Sequence, residues 1–341
     1  MPPAGAPHDK TPSFEGPLRA EEMERVLGEV MAGRMSAEEV AAFLSTLARR
    51  GETAEELAAA VVVLRRHAVQ LPLPRALEAG DTCGTGGDGM GTINISTLAA
   101  LTAAAAGVRI VKHGNRAASS RCGSADLLEA LGVNLEASPE QVARSVTELG
   151  FGFCFAPRFH PAMKAVAPVR KALGIRTIFN LAGPLANPAT LTFQLIGVPE
   201  RRLLRPMADA LVRLGLRHAL VVCGLDGMDE ATTTGPTEFL EVYCGRVSQG
   251  RWEPEEVGLP HATPEALRGG DAAFNAQVAR AVLAGTPSPA RDVVALNAGG
   301  VLYVAGRAPT VRAGVEQASA ILDAGAPLVL LDRVKELSHA R

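Results

Sequence analysis

The sequence predicts an α/β protein, with a small N-terminal all-helical domain followed by a larger α/β domain on a mostly parallel sheet. Helix-period apolar patterning fills the chain up to Gly80, and beyond it short β-branched or apolar runs alternate with helical segments. Length is the third observation: 341 residues exceed what one hydrophobic core usually serves, since cores stop growing near ~250–300 residues.

The elements follow in order. The first seventeen residues hold five prolines and no apolar signal-peptide core, and read as a flexible tail over 1–17. From Leu18 the residues Met23, Val26, Leu27, Val30 and Met31 recur at the three-and-four spacing that lines one helix face. Ser36 with Glu39, and Thr53 with Glu56, have capping-box spacing and precede Val40, Phe43, Leu44 and Leu47 in one case and the 57–64 apolar run in the other. Three or more helices therefore precede any strand. Leu71-Pro72-Leu73-Pro74 breaks helix and marks a boundary, so residues 18–80 form the helical domain.

Expected strands are Val108–Val111, Gly152–Phe155, Phe193–Val198, His218–Cys223 and Phe239–Tyr243, with helices over Leu98–Ala106 and Ser138–Leu149 between them. Ser138, Pro139 and Gln141 supply a cap, a first-turn proline and a closed box for the second of these. Residues between Pro157 and Pro188 are rich in breakers and are expected to cross back to the helical layer, completing it by about 160–190. The α/β domain then takes 81–159 and 191–341.

Composition narrows the function class. Apolar residues make up 47% and charged residues 21%, and no uncharged apolar stretch reaches the ~18 residues of a membrane span, so a soluble cytoplasmic protein is expected. Thirty-four basic against thirty-six acidic residues leave a net charge of −2, which gives no global field for nucleic acid or an anionic membrane. Any anion site must be built locally. The cysteines Cys83, Cys122, Cys154, Cys223 and Cys244 have no zinc or redox spacing and read as buried small hydrophobes in a reducing compartment.

Four segments can carry chemistry. Gly84-Thr85-Gly86-Gly87-Asp88-Gly89, followed by Thr92, Asn94, Ser96 and Thr97 and then an Ala-rich helix, combines close backbone approach with free helix-start amides. It lacks the lysine of a Walker loop and the spacing of a dinucleotide fingerprint. Lys112-His113-Gly114-Asn115-Arg116-Ala117-Ala118-Ser119-Ser120-Arg121, read as directly following the strand at 108–111, offers fixed cations and hydroxyls for a diphosphate. Alternatively it is a solvated charged loop, with His113 a neutral structural histidine. Asp226-Gly227-Met228-Asp229-Glu230 after the strand at 218–223 suits magnesium, a hard ion that keeps waters and bridges to phosphate, or is an acidic surface turn. The stretch 156–188 contains Arg170, which can pair bidentately with a carboxylate or serve as a surface cation on scaffold.

Together GTGGDGMGTINIST, KHGNRAASSRCGSAD, FAPRFHPAMKAVAPVRKALGIRTIFNLAGPLANP and GLDGMDEATTTGPT resemble the anthranilate phosphoribosyltransferase family, in order and over essentially Leu18 to the C-terminus. The resemblance implies a magnesium-dependent transfer of the phosphoribosyl group of phosphoribosyl pyrophosphate to the amine of anthranilate, in tryptophan biosynthesis. It implies that Gly84, Gly87, Asp88, Thr92, Asn94, Ile95, Ser96 and Thr97 hold phosphoribosyl pyrophosphate, joined by Lys112, His113, Gly114, Asn115, Arg116, Ala117, Ala118, Ser119, Ser120 and Ser124. Ser96, Asp229 and Glu230 would hold Mg2+, while Gly84, Asn115 and Arg170 would meet anthranilate. Homodimers are usual in that family. Departures are few: Ala182 where leucine is usual, Cys83 where an aliphatic residue is common, and the extra Pro-rich tail.

An aromatic amine is a neutral nucleophile at pH 7, so no residue is assigned as general acid or base. Two other readings share the architecture. A pyrimidine nucleoside phosphorylase would carry Ser-Gly-Arg and His-Thr-Gly-Gly segments, which are absent, and a nucleic-acid-binding relative would show a basic surplus and degraded substrate loops, which this chain lacks.

Overall fold

A computed structural model describes residues 14–117 and 120–340. Three helices open it: α1 (Ala20–Met31), α2 (Ala37–Arg50) and α3 (Ala54–Arg66). Met23, Val26, Leu27, Val30 and Met31 all face inward on α1. Both expected capping boxes form, Ser36 with Glu39 and Thr53 with Glu56. Glu56 is itself fully buried and also accepts from Arg50 and the Leu18 amide, which ties the start of α1 to α3. Of the expected 1–17 tail, residues 1–13 lie outside the described residues; Phe14 is buried and meets Phe43 edge-on at 4.8 Å, because a phenyl ring set before α1 covers apolar surface that the helices leave open.

The sheet comprises β1 (Gly80–Gly84), β2 (Ile110–Gly114), β3 (Phe151–Phe155), β4 (Phe193–Gly197), β5 (His218–Gly224), β6 (Thr237–Tyr243) and β7 (Arg246–Trp252), in the order β3-β2-β1-β4-β5-β6-β7. β1 to β5 pair in parallel and β6 and β7 antiparallel. The crossovers carry α4 (Ile95–Ala105), α5 (Ser124–Ala130), α6 (Pro139–Leu149), α7 (Ala156–Phe159), α8 (Ala167–Leu173), α9 (Ile178–Leu185) and α10 (Leu204–Arg213). After β7 come α11 (Ala272–Leu283), α12 (Pro289–Val304), α13 (Val311–Asp323) and α14 (Ala326–His339). No single helix among the described residues is long and apolar enough to cross a membrane.

Strand side chains alternate between two cores. Ile110, Leu195, Leu220 and Val222 pack with α4 and α12 on one face. Val111, Ile196, Ala219 and Val221 share the other face with α10 and, continuously, with Leu44, Leu57 and Leu64 of the opening helices. The segment α7 to α9 returns to that second side, where α8 lies against α2 and α9 against α3.

Four sequence expectations need correction. β2 runs from Ile110 to Gly114 and not from Val108 to Val111, because it pairs residue for residue with β3, so Lys112 and His113 sit on the strand itself. β1 was not expected, since Gly-Asp-Thr-Cys-Gly has no apolar run; it is nonetheless central, between β2 and β4. β7 was also missed, because an edge strand with one open side is free to be polar. Cys244 is exposed in the tight β6–β7 turn at φ 48°, while the other four cysteines are buried.

Candidate active site

The order of the parallel strands reverses between β1 and β4: successive strands run outward from β1 to β3, then β4 begins again on the other side of β1. Ligands of open α/β sheets bind at the carboxyl end of such a switch point. The glycine turn leaves β1 there, and the acidic loop leaves β5 beside it.

Two glycines make the approach possible. Gly84 and Gly197 are registered partners on β1 and β4. A Cβ on Gly84 would lie 2.1 Å from Asp229 Oδ2, and one on Gly197 would lie 1.7 Å from the Asp229 carbonyl oxygen. Hydrogen atoms at both positions let the acidic loop rest directly on the strand ends. Beyond them Gly86, at φ 74°, turns its amide onto Asp229 Oδ2 at 2.6 Å.

Asp229 and Glu230 are both buried. Burial raises the Asp229 carboxyl well above the usual carboxylate range, and the neighbouring Glu230 and Asp88 charges raise it further. Burial likewise pushes Glu230 up to about 7, against the opposing pull of Lys112, while the Ser96 amide and hydroxyl both face its carboxylate. Two desolvated carboxyls with adjacent hydroxyl oxygen form a hard-donor set that a divalent cation would stabilise. Among the described residues no three acidic, histidine or cysteine side chains form a closed cage, so a cation here would keep water or substrate ligands.

Two cations of the second loop, Lys112 and Arg116, are already engaged. Lys112 is buried and donates to the Thr82 carbonyl at 2.7 Å and to Ser96 Oγ at 3.2 Å, beneath the glycine turn. Arg116 pairs with Glu129 at 2.7 Å and Asp126 at 3.0 Å on α5. Gly114 abuts Ser124, whose hydroxyl donates to the Asn115 carbonyl. Ala117 and Ser120 border the same loop, the Ala117 amide donating a hydrogen bond to Asp126 Oδ2; Ala118 and Ser119 lie outside the described residues. Gly87 is open to solvent, whereas the Ile95 and Thr97 side chains point into the core, so any ligand contact they make runs through the backbone. Thr92 bridges to Arg268, and Asn94 opens α4.

On the other side of the glycine turn a cavity of about 390 Å³ is bounded by Gly84, His113, Asn115, His160, Arg170 and Asn180. Arg170 is half-buried, 5.5 Å over the Phe179 ring, and its one side-chain bond among the described residues is a 3.4 Å contact to Asn180 Oδ1. Its guanidinium therefore retains donors for a carboxylate. The His113 and His160 rings stand 5.0 Å apart. Burial, and then the neighbouring His160, depresses His113 to about 3; burial also lowers His160. Both rings are thus neutral at pH 7, and neither Nε2 has a hydrogen-bond partner among the described residues.

Three further residues hold this arrangement and were not singled out from sequence. Arg176, between α8 and α9, donates to the Gly86 carbonyl at 2.7 Å and so fixes the glycine turn from the helical side. Asn187 is fully buried and bridges Asp81 Oδ2 at 2.9 Å and the Val111 carbonyl at 2.7 Å, joining β1 to β2. His160 follows Phe159 in the Phe-His-Pro run, where an aromatic pair beside a proline turn was the available signal.

Two family models cover the chain: "Glycosyl transferase family, helical bundle domain" over residues 14–68 and "Glycosyl transferase family, a/b domain" over residues 77–328. An anthranilate phosphoribosyltransferase of Rubrobacter xylanophilus is 51% identical over 95% of this chain and 94% of its own. The crystal structure of anthranilate phosphoribosyltransferase from Thermus thermophilus superposes with a TM-score of 0.91 at 48% identity, covering 96% of this chain and 98% of that one. The Saccharomyces cerevisiae enzyme, solved in complex with phosphoribosyl pyrophosphate and magnesium, gives 0.87 at 26% identity over 94% of this chain and 93% of its own. On fold, coverage and identity, the chain belongs to the anthranilate phosphoribosyltransferase family of glycosyl transferases.

Proposed function

We propose that the chain transfers the phosphoribosyl group of phosphoribosyl pyrophosphate to the amine of anthranilate, releasing pyrophosphate and N-(5-phosphoribosyl)anthranilate. The observation that carries this reading is the junction of Gly86 with Asp229, which sets an anion-receptive glycine turn against a buried carboxylate pair at one strand end. Family membership supports it.

In this reading Gly84, Gly87, Asp88, Thr92 and the 94–97 backbone receive phosphoribosyl pyrophosphate, with the 112–120 loop and Ser124 beside them. Ser96, Asp229 and Glu230 fit magnesium by donor type and by their need of a counter-charge. Magnesium, when bound, would neutralise charge on the departing diphosphate. Lys112 supports that arrangement from below by holding Ser96 Oγ. Arg170 takes the anthranilate carboxylate in the cavity beyond Gly84, and Asn115 borders the same space. Holding the amine in line with the anomeric carbon is the main task, since attack by a neutral aromatic amine needs no prior deprotonation.

Anthranilate fluorescence should fall when phosphoribosyl pyrophosphate and magnesium are added to the purified protein. It should persist when magnesium is chelated. Persistence in the complete mixture would refute the assignment.

A further inference from the structure

The glycine turn is held at a third place, by residues far from the cavity. The backbone just before α11 runs antiparallel to residues 91–93: Ile93 donates to the Leu267 carbonyl at 3.0 Å, Gly269 donates to the Gly91 carbonyl at 2.8 Å, and Thr92 bridges Arg268. A Cβ on Gly269 would lie 2.5 Å from the Thr92 carbonyl oxygen, so the two backbones are in direct contact.

One turn into α11, Asn275 is 3% exposed and uses both ends of its amide. Its Oδ1 accepts from the Gly270 amide at 2.7 Å, and its Nδ2 donates to Asn94 Oδ1 at 3.0 Å. Asn94 in turn donates from Nδ2 to the Cys122 carbonyl at 3.0 Å, at the end of the loop that begins with Asn115. Three segments distant in sequence thus meet through two asparagines.

Asn94 stands at the N-cap of α4, where an asparagine oxygen ordinarily accepts from an amide in the first turn of its own helix. No such cap bond forms here. By contrast, Ser36, Thr53, Ser138, Asp271, Ser288 and Thr310 each cap their own helices. The Asn94 oxygen is instead directed at Asn275, and the first-turn amides of Ile95 and Thr97 are taken by the Ile93 and Asn94 carbonyls.

We propose that Asn275 is a positioning residue for the phosphoribosyl-transfer site: by holding Asn94 Oδ1 while Asn94 holds the Cys122 carbonyl, it fixes the glycine turn and the start of α4 against the 115–122 loop, the two segments that receive the substrate diphosphate. Without that donor the Asn94 side chain keeps only its bond to the Cys122 carbonyl, and the 115–122 loop loses its tie to α11. The inference rests on the function proposed above and adds to it a residue that touches no substrate.

Two substitutions separate the effects. Asn275→Ala removes both bonds. Asn275→Asp keeps an acceptor for the Gly270 amide but removes the donor to Asn94. In both variants the Kd of phosphoribosyl pyrophosphate with magnesium, read by calorimetry, and its KM should rise at least about tenfold, the loss of roughly one hydrogen-bonded anchor. The KM of anthranilate should stay within about twofold, and introducing Asn275→Ala into an Asn94→Ala background should have little further effect on phosphoribosyl pyrophosphate. Equal rises in both KM values would indicate a structural role only, and unchanged phosphoribosyl pyrophosphate affinity in a folded Asn275→Asp protein would overturn the proposal. A wild-type protein that binds no phosphoribosyl pyrophosphate would remove the functional reading first, and this inference with it.

Discussion

The Gly86 amide and the Asp229 carboxylate are joined by a 2.6 Å hydrogen bond across 143 residues of sequence. A carboxylate that accepts from the glycine turn while lying beside a second buried carboxyl, Glu230, links the shape of the turn to the charge next to it. Four predictions follow from that geometry and its surroundings.

Gly84→Ala should strike the junction directly, because the new methyl would lie 2.1 Å from Asp229 Oδ2 and 2.8 Å from the Asp229 carbonyl oxygen. Relief requires moving the acidic loop, at about 1–3 kcal/mol of stability. Displacement of about 1 Å at a reacting site costs roughly 100-fold in rate, so kcat/KM should fall by at least that while circular dichroism remains native. Near-normal turnover would show that the acidic loop does not set the site.

Glu230 makes stability depend on pH in a defined direction. Its folded pKa is raised to about 7 from an ordinary 4.5, so the folded state binds the extra proton across that interval. The contribution is fully present below about 4.5 and is lost as pH rises through about 7. Metal-free wild type should therefore lose Tm relative to Glu230→Gln over that window, and magnesium should restore part of the loss to wild type only. Parallel Tm curves for the two proteins would contradict the burial argument.

Arg170→Ala should raise the KM of anthranilate about 10- to 100-fold, as expected for loss of a charge-assisted bond worth about 1.5–3 kcal/mol. The KM of phosphoribosyl pyrophosphate should change little, since the guanidinium lines the cavity beyond the glycine turn. Equal effects on both substrates would remove the carboxylate role.

Asn187→Ala strips a donor from the buried Asp81 and from the Val111 carbonyl at once. Asp81 Oδ2 keeps the His113 amide, so the cost is that of the lost hydrogen bonds, about 0.5–1.5 kcal/mol each, and urea unfolding should report a loss of about 1–3 kcal/mol. A loss below about 0.5 kcal/mol would mean that the β1–β2 join does not depend on it.

How far the sequence reveals this molecule depends on the distance between partners. α2 and α3 are legible because Ser36, Glu39, Thr53 and Glu56 act on amides within three residues. β1 is not legible: Asp81 and Thr82 read as turn residues, yet Asp81 is buried because the His113 amide and Asn187 come to it from elsewhere in the fold. Within the site, the glycine turn and the Asp229-Glu230 pair announce themselves by composition. Arg176, Asn187 and Asn275 do not, since the groups they hold lie 90, 106 and 181 residues away. The engagement of Lys112 and Arg116 by protein partners was hidden for the same reason.

Gly84, Gly197 and Asp229 fit together so closely that a change at either glycine is felt at the aspartate. A side chain at either strand position meets the same carbonyl oxygen, and the aspartate reaches its place only over bare backbone. A methyl group at either strand position therefore pushes on the same short piece of backbone, so the penalties of Gly84→Ala and Gly197→Ala overlap and do not add.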